Sequence, residues 1–512
     1  MFSDHTATSK LPPYALTAAL LLAVAGFTVC VMWLWPASML DSDTMALMLV
    51  VIFALAVLYA GLAVCRTTLA DADSTVLRLS LLIWFILLIS EGLFDRAGDE
   101  VDTYKGLITS QAYGEAIVWV VAAAILLLVL LPHLGHLRPL FAKNYKWATI
   151  YVLVCLLSVT YSPDKTYSLA WCFKLGLVVL LLGVCIPTVS SVAKAILFLR
   201  ITLWGLLFLT FIPVLIALWD PEGAFSGAGG RLLDPVLLSQ RGGFVFLIAT
   251  VLYSLQRRRL FLVVSIVGAA VMVMAFGKTS IIAGTFSAGL FLILQGKRKA
   301  AGLLFGGLLV LTLVILVTVP QVSRYASSYE GTDTLTGRTN VWEMALPRIK
   351  QRPLQGYGYL ATKFMWLSER EKVATFTHLH NSFLDVAYNL GLLGLVPMIM
   401  MHVGLVKNLR RSMRNAKAPP TIGSDASERR SSRTLYLVAA GCLILYVDLL
   451  INGMMTTTFG GRPNCLFMSF LAVLALSEVV YRESLGLVGA PATVKPSRFR
   501  SVPLSPRTFP SA

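Results

Sequence analysis

The sequence predicts an all-α, polytopic integral membrane protein of about 12–14 transmembrane helices with one long outward-facing loop. Three observations predict it. The 512 residues are 57% hydrophobic and only 13% charged, with a mean hydropathy of +0.76, where a soluble chain would carry about a quarter charged residues. Apolar runs recur along the chain, most of them long enough to cross a bilayer as helices. Lysine and arginine gather in alternate short connections between those runs. Helices are the spanning form because unpaired backbone groups cannot face lipid.

Taken in order, the spans read as 14–35, 44–65, 79–92, 114–132, 148–160, 169–187, 195–218, 243–255, 260–276, 280–295, 302–319, 383–404, 435–452 and 465–480. The first run, Tyr14 to Trp35, is too long for a signal-peptide core and lacks an A-x-A site, so it reads as a retained span. With the N-terminus inside, the basic groups Arg257-Arg258-Arg259 and Lys297-Arg298-Lys299 fall on the cytoplasmic side, as does the connection 405–434. Both termini then lie in the cytoplasm, and the long loop 320–381 faces outward. The organisation expected is N-terminal spans over 1–255, a loop-bearing region over 256–404, a basic cytoplasmic loop over 405–434, C-terminal spans over 435–480, and a tail over 481–512. The 405–434 connection and the tail are rich in Pro, Ser and Arg and read as disordered.

The formal charge of +17 would suit nucleic acid in a soluble protein. In so apolar a chain it is explained by positive loops held inside, and no nucleic-acid partner is expected. Cys30, Cys65, Cys155, Cys172, Cys185, Cys442 and Cys465 all lie in or beside apolar runs and form no C-x-x-C pair. Neither a metal site nor a disulfide framework is indicated.

The chemistry is expected in the polar interval Gly331 to Gly394, which runs straight into a span. His378 and His380 are the outward-facing histidines, and His380 stands at the mouth of span 383–404. The positive end of a helix dipole disfavours imidazolium there, leaving a neutral ring able to accept a proton. Two polar interfacial histidines beside a packing helix fit the same pattern. Positions 380, 384, 387, 391 and 394 share one helical face, whose small residues Ala387, Gly391 and Gly394 invite close packing by another helix. Asn340 with Glu343 resembles a capping box, which predicts a helix starting near Val341 and bent or ended by Pro347. Arg338 then precedes a helix N-terminus, where a bidentate fork suits an anion. A solvated arginine paired with Asp333 or Glu343 is the plainer alternative.

Two further cations stand at outward span mouths: Arg231 in a Gly-rich loop, with Arg241 following, and Lys278 in a short turn. Three cations beside a base describe a site for a diphosphate whose chain lies in lipid. Gly356-Tyr357-Gly358-Tyr359 reads as a turn presenting aromatic faces on which sugar rings could stack. Asp385 and Asp448, in or near spans, are proton-relay candidates for a transporter. The acidic cluster Asp95, Asp99, Glu100 and Asp102 reads as a solvated loop.

His380-Asn381, nine residues, Gly391, two residues, Gly394 resembles the histidine motif of the O-antigen ligase and polymerase superfamily. Gly337-Arg338-Thr339, Trp342 and Pro353-Leu354-Gln355-Gly356-Tyr357-Gly358 are similar to the segment preceding that motif, in the form closest to the exopolysaccharide-polymerase branch. The resemblance covers roughly Gly277 to Leu395. It implies a glycosyltransferase in a bacterial inner membrane, with its active site facing the periplasm. The substrate implied is a glycan on undecaprenyl diphosphate, and the acceptor a lipid-linked repeat unit. A ligase acting on lipid A-core is the alternative, and a lipid-linked glycan flippase or secondary transporter is the reading from another class. His380 would be the base and Arg338 the diphosphate ligand, with Lys278 and Arg231 beside it. The family's second arginine is replaced here by Lys278, which keeps the charge and loses the fork. His378, Asn381, Trp342, Tyr357 and Tyr359 are the remaining candidates for substrate contact. The resemblance implies no cofactor, metal or nucleotide sugar; partners would be membrane lipid, a flippase, and chain-length or export proteins.

Overall fold

The computed structural model describes residues 75–94, 110–141, 143–219, 235–275, 277–318, 338–365, 378–417 and 426–486. The expected spans 14–35 and 44–65, the acidic cluster, Arg231 and the tail beyond Gly486 lie outside these residues. All the regular elements described are helical. They are α1 (Thr75–Phe94), α2 (Ser110–Leu130), α3 (Lys146–Ser158), α4 (Lys165–Thr188), α5 (Val192–Trp219), α6 (Pro235–Gln256), α7 (Arg259–Met274), α8 (Lys278–Leu294) and α9 (Arg298–Thr318). There follow α10 (Arg338–Gln351), the short α11 (Thr362–Met365), α12 (Ser382–Lys417), α13 (Ala426–Met455) and α14 (Cys465–Ser484), with a 3-10 stretch at Leu131–Phe141 after α2. Among the described residues six helices are long and apolar enough to cross a membrane, and α3, α7 and α8 are shorter apolar helices. The chain is an all-α, polytopic membrane protein.

α12 is the axis of the packing. It lies against α3, α13 and α14, and it carries α10 and α11 at its N-terminal end. α6 pairs closely with α7 and also touches α5, α8 and α13, while α1 packs on α2 and α5. One continuous apolar cluster joins these helices, with Trp84, Tyr151, Phe244 and Phe467 fully enclosed. Apolar side chains such as Ile117, Leu303 and Val317 stay exposed on the outward helix faces, as a lipid-facing surface requires.

Several boundaries differ from the hydropathy reading. α6 begins at Pro235 rather than near 243, and its first turns hold Ser239, Gln240 and Arg241. These polar side chains are buried and satisfied inside the protein: Gln240 Nε2 donates to Thr456 Oγ1 at 2.7 Å and Ser239 Oγ to the Met272 carbonyl at 2.8 Å. A polar residue bonded within the bundle costs little in a span, so hydropathy cut the helix short. The expected disordered connection 405–434 is largely helix, since α12 runs to Lys417 and α13 starts at Ala426. Leu405, Leu409 and Ser412 bury one face of that extension while the cations take the other, so the residues form an amphipathic helix end.

α10 starts at Arg338 and continues through Pro347 to Gln351, so it begins three residues before the expected start, and Pro347 does not end it. Pro347 is exposed, where the carbonyl bond it removes can be made to water.

Candidate active site

The histidine segment is fixed from both sides before α12 begins. Asn381 caps the helix: its Oδ1 accepts from the amides of Phe383 and Leu384 at 3.0 and 3.1 Å. Its Nδ2 donates to the Met454 carbonyl at 3.0 Å. Ser382 Oγ donates to the Thr456 carbonyl at 3.2 Å and accepts from the amides of Thr458 and Phe459. The turn after α13 is therefore stitched to the helix mouth. On the other side, the amide of Leu379 donates to Asp385 Oδ1 at 3.1 Å, and its carbonyl accepts the Trp342 indole N–H at 2.7 Å.

Between these anchors His380 takes a left-handed backbone, φ 50°. This region is costly for most side chains, and His is among the few types enriched in it. The rings of His378 and His380 lie 4.2 Å apart, centroid to centroid. Burial, then the nearby His378 and Arg338 charges, pushes the His380 imidazole from the ordinary 6.5 down to about 2. The ring is neutral, as the sequence suggested, but desolvation is the main cause. Arg338, the first residue of α10, is near enough for its charge to act on the imidazole.

Asp385, one turn into α12, is fully enclosed and holds more than the sequence indicated. Besides the Leu379 amide it accepts from Thr457 Oγ1, and His378 is close enough to act on it electrostatically. Asp385 thus acts electrostatically with His378, and Arg338 with His380.

α12 is broken in the middle. Gly391 has φ 59° and ψ −153°, which interrupts the helical backbone ladder. The segment Pro353–Gly358 fills the break. The amides of Tyr357 and Gly358 donate to the Tyr388 and Asn389 carbonyls at 3.1 and 2.8 Å, and the amides of Leu392 and Leu393 donate to the Pro353 and Leu354 carbonyls at 2.8 and 3.1 Å. A Cβ on Gly391 would overlap the Leu354 carbonyl, and one on Gly356, at φ +66°, would lie 2.5 Å from Asn389 backbone atoms. The small residues of α12 receive a loop here, where the sequence suggested a neighbouring helix.

The tyrosines differ in availability. Tyr357 is half-buried, with its ring stacked on Tyr388 at 4.8 Å and Arg352 over it at 4.8 Å. Tyr359 is completely enclosed; its hydroxyl donates to the Gly461 carbonyl at 2.7 Å, and its backbone bonds Ser158 and Ser168. It offers no face for a sugar ring, because the loop is plugged into α3 and α4. Trp342 is half-buried and is used as a donor to the histidine segment.

Lys278 is the exposed first residue of α8. Ser280, two residues on, donates to Asn452 Oδ1 at 3.2 Å, and Asn452 meets Gln240 and Thr456. The mouth of α8 is thereby linked by hydrogen bonds to the turn that holds Asn381 and Ser382. Sequence reasoning missed this seam: Gln240, Arg241, Asn452 and Thr456–Thr458 carry no spacing motif, and only a Thr-Thr-Thr run before Gly-Gly-Arg marks the turn. Arg241 is buried, with Nε 3.4 Å from Cys465 Sγ.

Fold and site together define a polytopic helical membrane protein with a histidine-bearing helix mouth under a docked polar loop. Residues 263–399 match the family described as O-Antigen ligase, a segment that includes α8, α10, the docked loop, both histidines and the Gly391 break. Exopolysaccharide production protein ExoQ of Rhizobium meliloti (strain 1021) is 30% identical over 139 residues, which cover 25% of this chain and 31% of that protein. The resemblance to the O-antigen ligase superfamily, near its exopolysaccharide branch, holds over this segment.

Proposed function

We propose that the protein is a polysaccharide polymerase that transfers a glycan from an undecaprenyl diphosphate carrier to a hydroxyl of a lipid-linked repeat unit, with inversion at the anomeric carbon. The observation that carries this reading is the neutral His380 within the field of Arg338, on a backbone pinned by Trp342, Asn381 and Ser382, within the segment that matches the family. His380 takes the acceptor proton as that oxygen attacks. Arg338 meets the diphosphate with its bidentate fork and stabilises the charge that grows on it as the glycosidic bond breaks. A bound diphosphate also offsets the positive field that depresses the imidazole, so the base gains strength when the donor is in place. Lys278 and Arg231 are the further candidate diphosphate contacts, with His378, Asn381 and Tyr357 near the sugars.

The site faces the periplasm from a bacterial inner membrane with both termini cytoplasmic, on the distribution of Lys and Arg. The region 256–404 is the catalytic unit, flanked by the other spans. The test is turnover of lipid-linked donor by purified protein. His380→Ala, and His380→Asn, which tolerates the left-handed backbone, abolish transfer at normal protein levels. Arg338→Lys loses much of it, because a point charge cannot replace the fork. Wild-type turnover by His380→Asn would remove the base assignment.

One observation favours a second reading. Glu91 and Lys174 lie 4.0 Å apart in the helices, both nearly enclosed, and facing charges inside a span suit a lipid-linked glycan flippase or secondary transporter. Glycan translocation into vesicles without transfer, lost in Glu91→Gln, would support that class.

A further inference from the structure

The last turns of α12 line a pocket of about 870 Å³ between α12 and α13, within the size range of small-molecule sites. Its position is set by helix geometry. α12 turns back at Gly391, which brings Phe383 within 5.5 Å of His402, so the distance is read along α13. Met454, whose carbonyl meets Asn381, stands 18 residues beyond Tyr436, about 27 Å along a helix. The basic end of the pocket, at Lys417 and Tyr436, therefore lies toward the end of α13 away from the histidines, while its inner end at His402 reaches back toward Phe383.

The lining has two chemistries. Lys407, Arg410, Arg411, Arg414 and Lys417 all reach it and all are exposed. Among the described side chains no carboxylate lines the pocket. Val403, Val406, Met413 and Leu294 give the pocket an apolar wall, and Lys417 lies 4.9 Å over the Tyr436 ring. At the inner end His402 is buried; Nδ1 is 3.2 Å from Tyr446 Oη, but Nε2 has no hydrogen-bond partner among the described residues. A buried ring nitrogen without a partner is uncommon and calls for a ligand group. The ring also packs against Phe383, Phe459 and Phe470 at 5.5, 4.8 and 4.8 Å. With Nδ1 accepting from Tyr446, Nε2 is the donor left for a polar group that enters the pocket His402 lines.

A row of cations, an apolar wall and a single inner donor match an amphiphile better than a soluble anion, which would leave the wall and His402 unused. The rise from His402 to Lys407 and Arg410, about 8–12 Å, is the scale on which a glycerophospholipid separates its ester carbonyls from its phosphate. We propose that this pocket binds one anionic glycerophospholipid, with its phosphate among Lys407, Arg410 and Arg414, an ester carbonyl accepting from His402 Nε2, and an acyl chain along Val403 and Val406. The lipid clamps the ends of α12 and α13, so it acts on the same helix that carries the histidine mouth. The inference does not depend on the transfer reaction.

Native mass spectrometry of the full-length protein in detergent tests it, by titration with phosphatidylglycerol, phosphatidylcholine and glycerol 3-phosphate. One phosphatidylglycerol is expected to stay bound at concentrations where phosphatidylcholine and glycerol 3-phosphate do not. Arg410→Gln with Arg414→Gln removes two exposed charges and weakens phosphatidylglycerol roughly thirty-fold. Val406→Trp fills the apolar wall, leaves the charge unchanged, and also lowers occupancy. Unchanged phosphatidylglycerol affinity in both variants would overturn the site, leaving only annular lipid. Glycerol 3-phosphate binding as tightly as the lipid would overturn it in favour of a free-anion site. Displacement of the phospholipid by polyprenyl phosphate at equal concentration would overturn the assigned lipid class.

Discussion

The indole N–H of Trp342 donates to the carbonyl of Leu379 at 2.7 Å, and Leu379 is the residue between the two histidines. The outer-loop helix α10 and the membrane helix α12 are thus joined at the residue between His378 and His380, whose rings lie 4.2 Å apart. Val341 and Ala345 of α10 bury against Leu379 and Tyr388 in a small apolar cluster of their own, so Arg338 reaches the site on a supported helix.

Trp342→Phe keeps that packing and removes the donor. Leaving a buried carbonyl unpaired costs about 1–3 kcal/mol. The expected result is a protein that accumulates normally, melts somewhat lower, and loses glycan transfer well beyond its loss of stability. Normal transfer in Trp342→Phe would show that the indole bond does not position the histidines. Asp385→Asn is the companion variant: if His378 serves only to shape the His380 environment, Asp385→Asn and His378→Ala cause similar, milder losses than His380→Ala.

The pH behaviour follows from the depressed His380 pKa. Unfolded, the ring takes a proton below the ordinary 6.5; folded, it stays neutral until about 2. The unfolded state binds more protons across that window, so stability falls as pH drops below about 6.5. The slope from this residue is at most about 1.4 kcal/mol per pH unit, reduced because the ring is partly exposed. Wild-type protein is therefore expected to lose more melting temperature between pH 7 and pH 5 than His380→Asn does. Parallel melting curves for the two proteins would contradict the buried neutral ring.

Gly391 carries the joint between α12 and the docked loop. Alanine there must adopt φ 59° with ψ −153°, a backbone region used almost only by glycine, and also displace the Leu354 carbonyl. Gly391→Ala is therefore expected to cost more than the roughly 1–3 kcal/mol of such backbone strain alone. Four backbone hydrogen bonds between the two segments would loosen together. Faster tryptic cleavage after Lys350 in the detergent-solubilised protein reads that loosening. Wild-type resistance to trypsin and wild-type melting would mean that the loop is held elsewhere.

Hydropathy made the apolar helices legible from 79 onward, because lipid selects for composition along a whole span. It failed where polar side chains turn inward: Ser239, Gln240 and Arg241 extend α6 by two turns, and the partners of Gln240 and Arg241 (Asn452, Thr456 and Cys465) are more than two hundred residues away. The amphipathic extension of α12 was read as loop because its charges masked Leu405 and Leu409. His380, Arg338 and the two glycine motifs were legible as a combination. That Pro353–Gly358 plugs the Gly391 break was not, since each motif alone reads as a turn or a packing face. Tyr359 was misplaced for the same reason: a turn in sequence gives no sign of burial.

Polymerase and ligase would share donor, base and fold, and differ in acceptor. A polymerase extends a second lipid-linked repeat unit; a ligase glycosylates lipid A-core. Both acceptors are anionic, so charge does not separate them. The Gly337-Arg338-Thr339, Trp342 and Gly356-Tyr357-Gly358 pattern is what the polymerase reading rests on. Its parts also have structural work in this chain: Trp342 holds Leu379, and the glycines seat the loop on α12. The pattern therefore shapes the ground above the histidines, where an acceptor would approach. Purified protein given lipid-linked repeat units alone is expected to yield a ladder of longer lipid-linked glycans, read on a gel, with no lipopolysaccharide added. The ladder should vanish in His380→Asn and be restored by no added acceptor. A preparation inert with donor alone, yet active once lipid A-core is supplied, would make the protein a ligase with the same base.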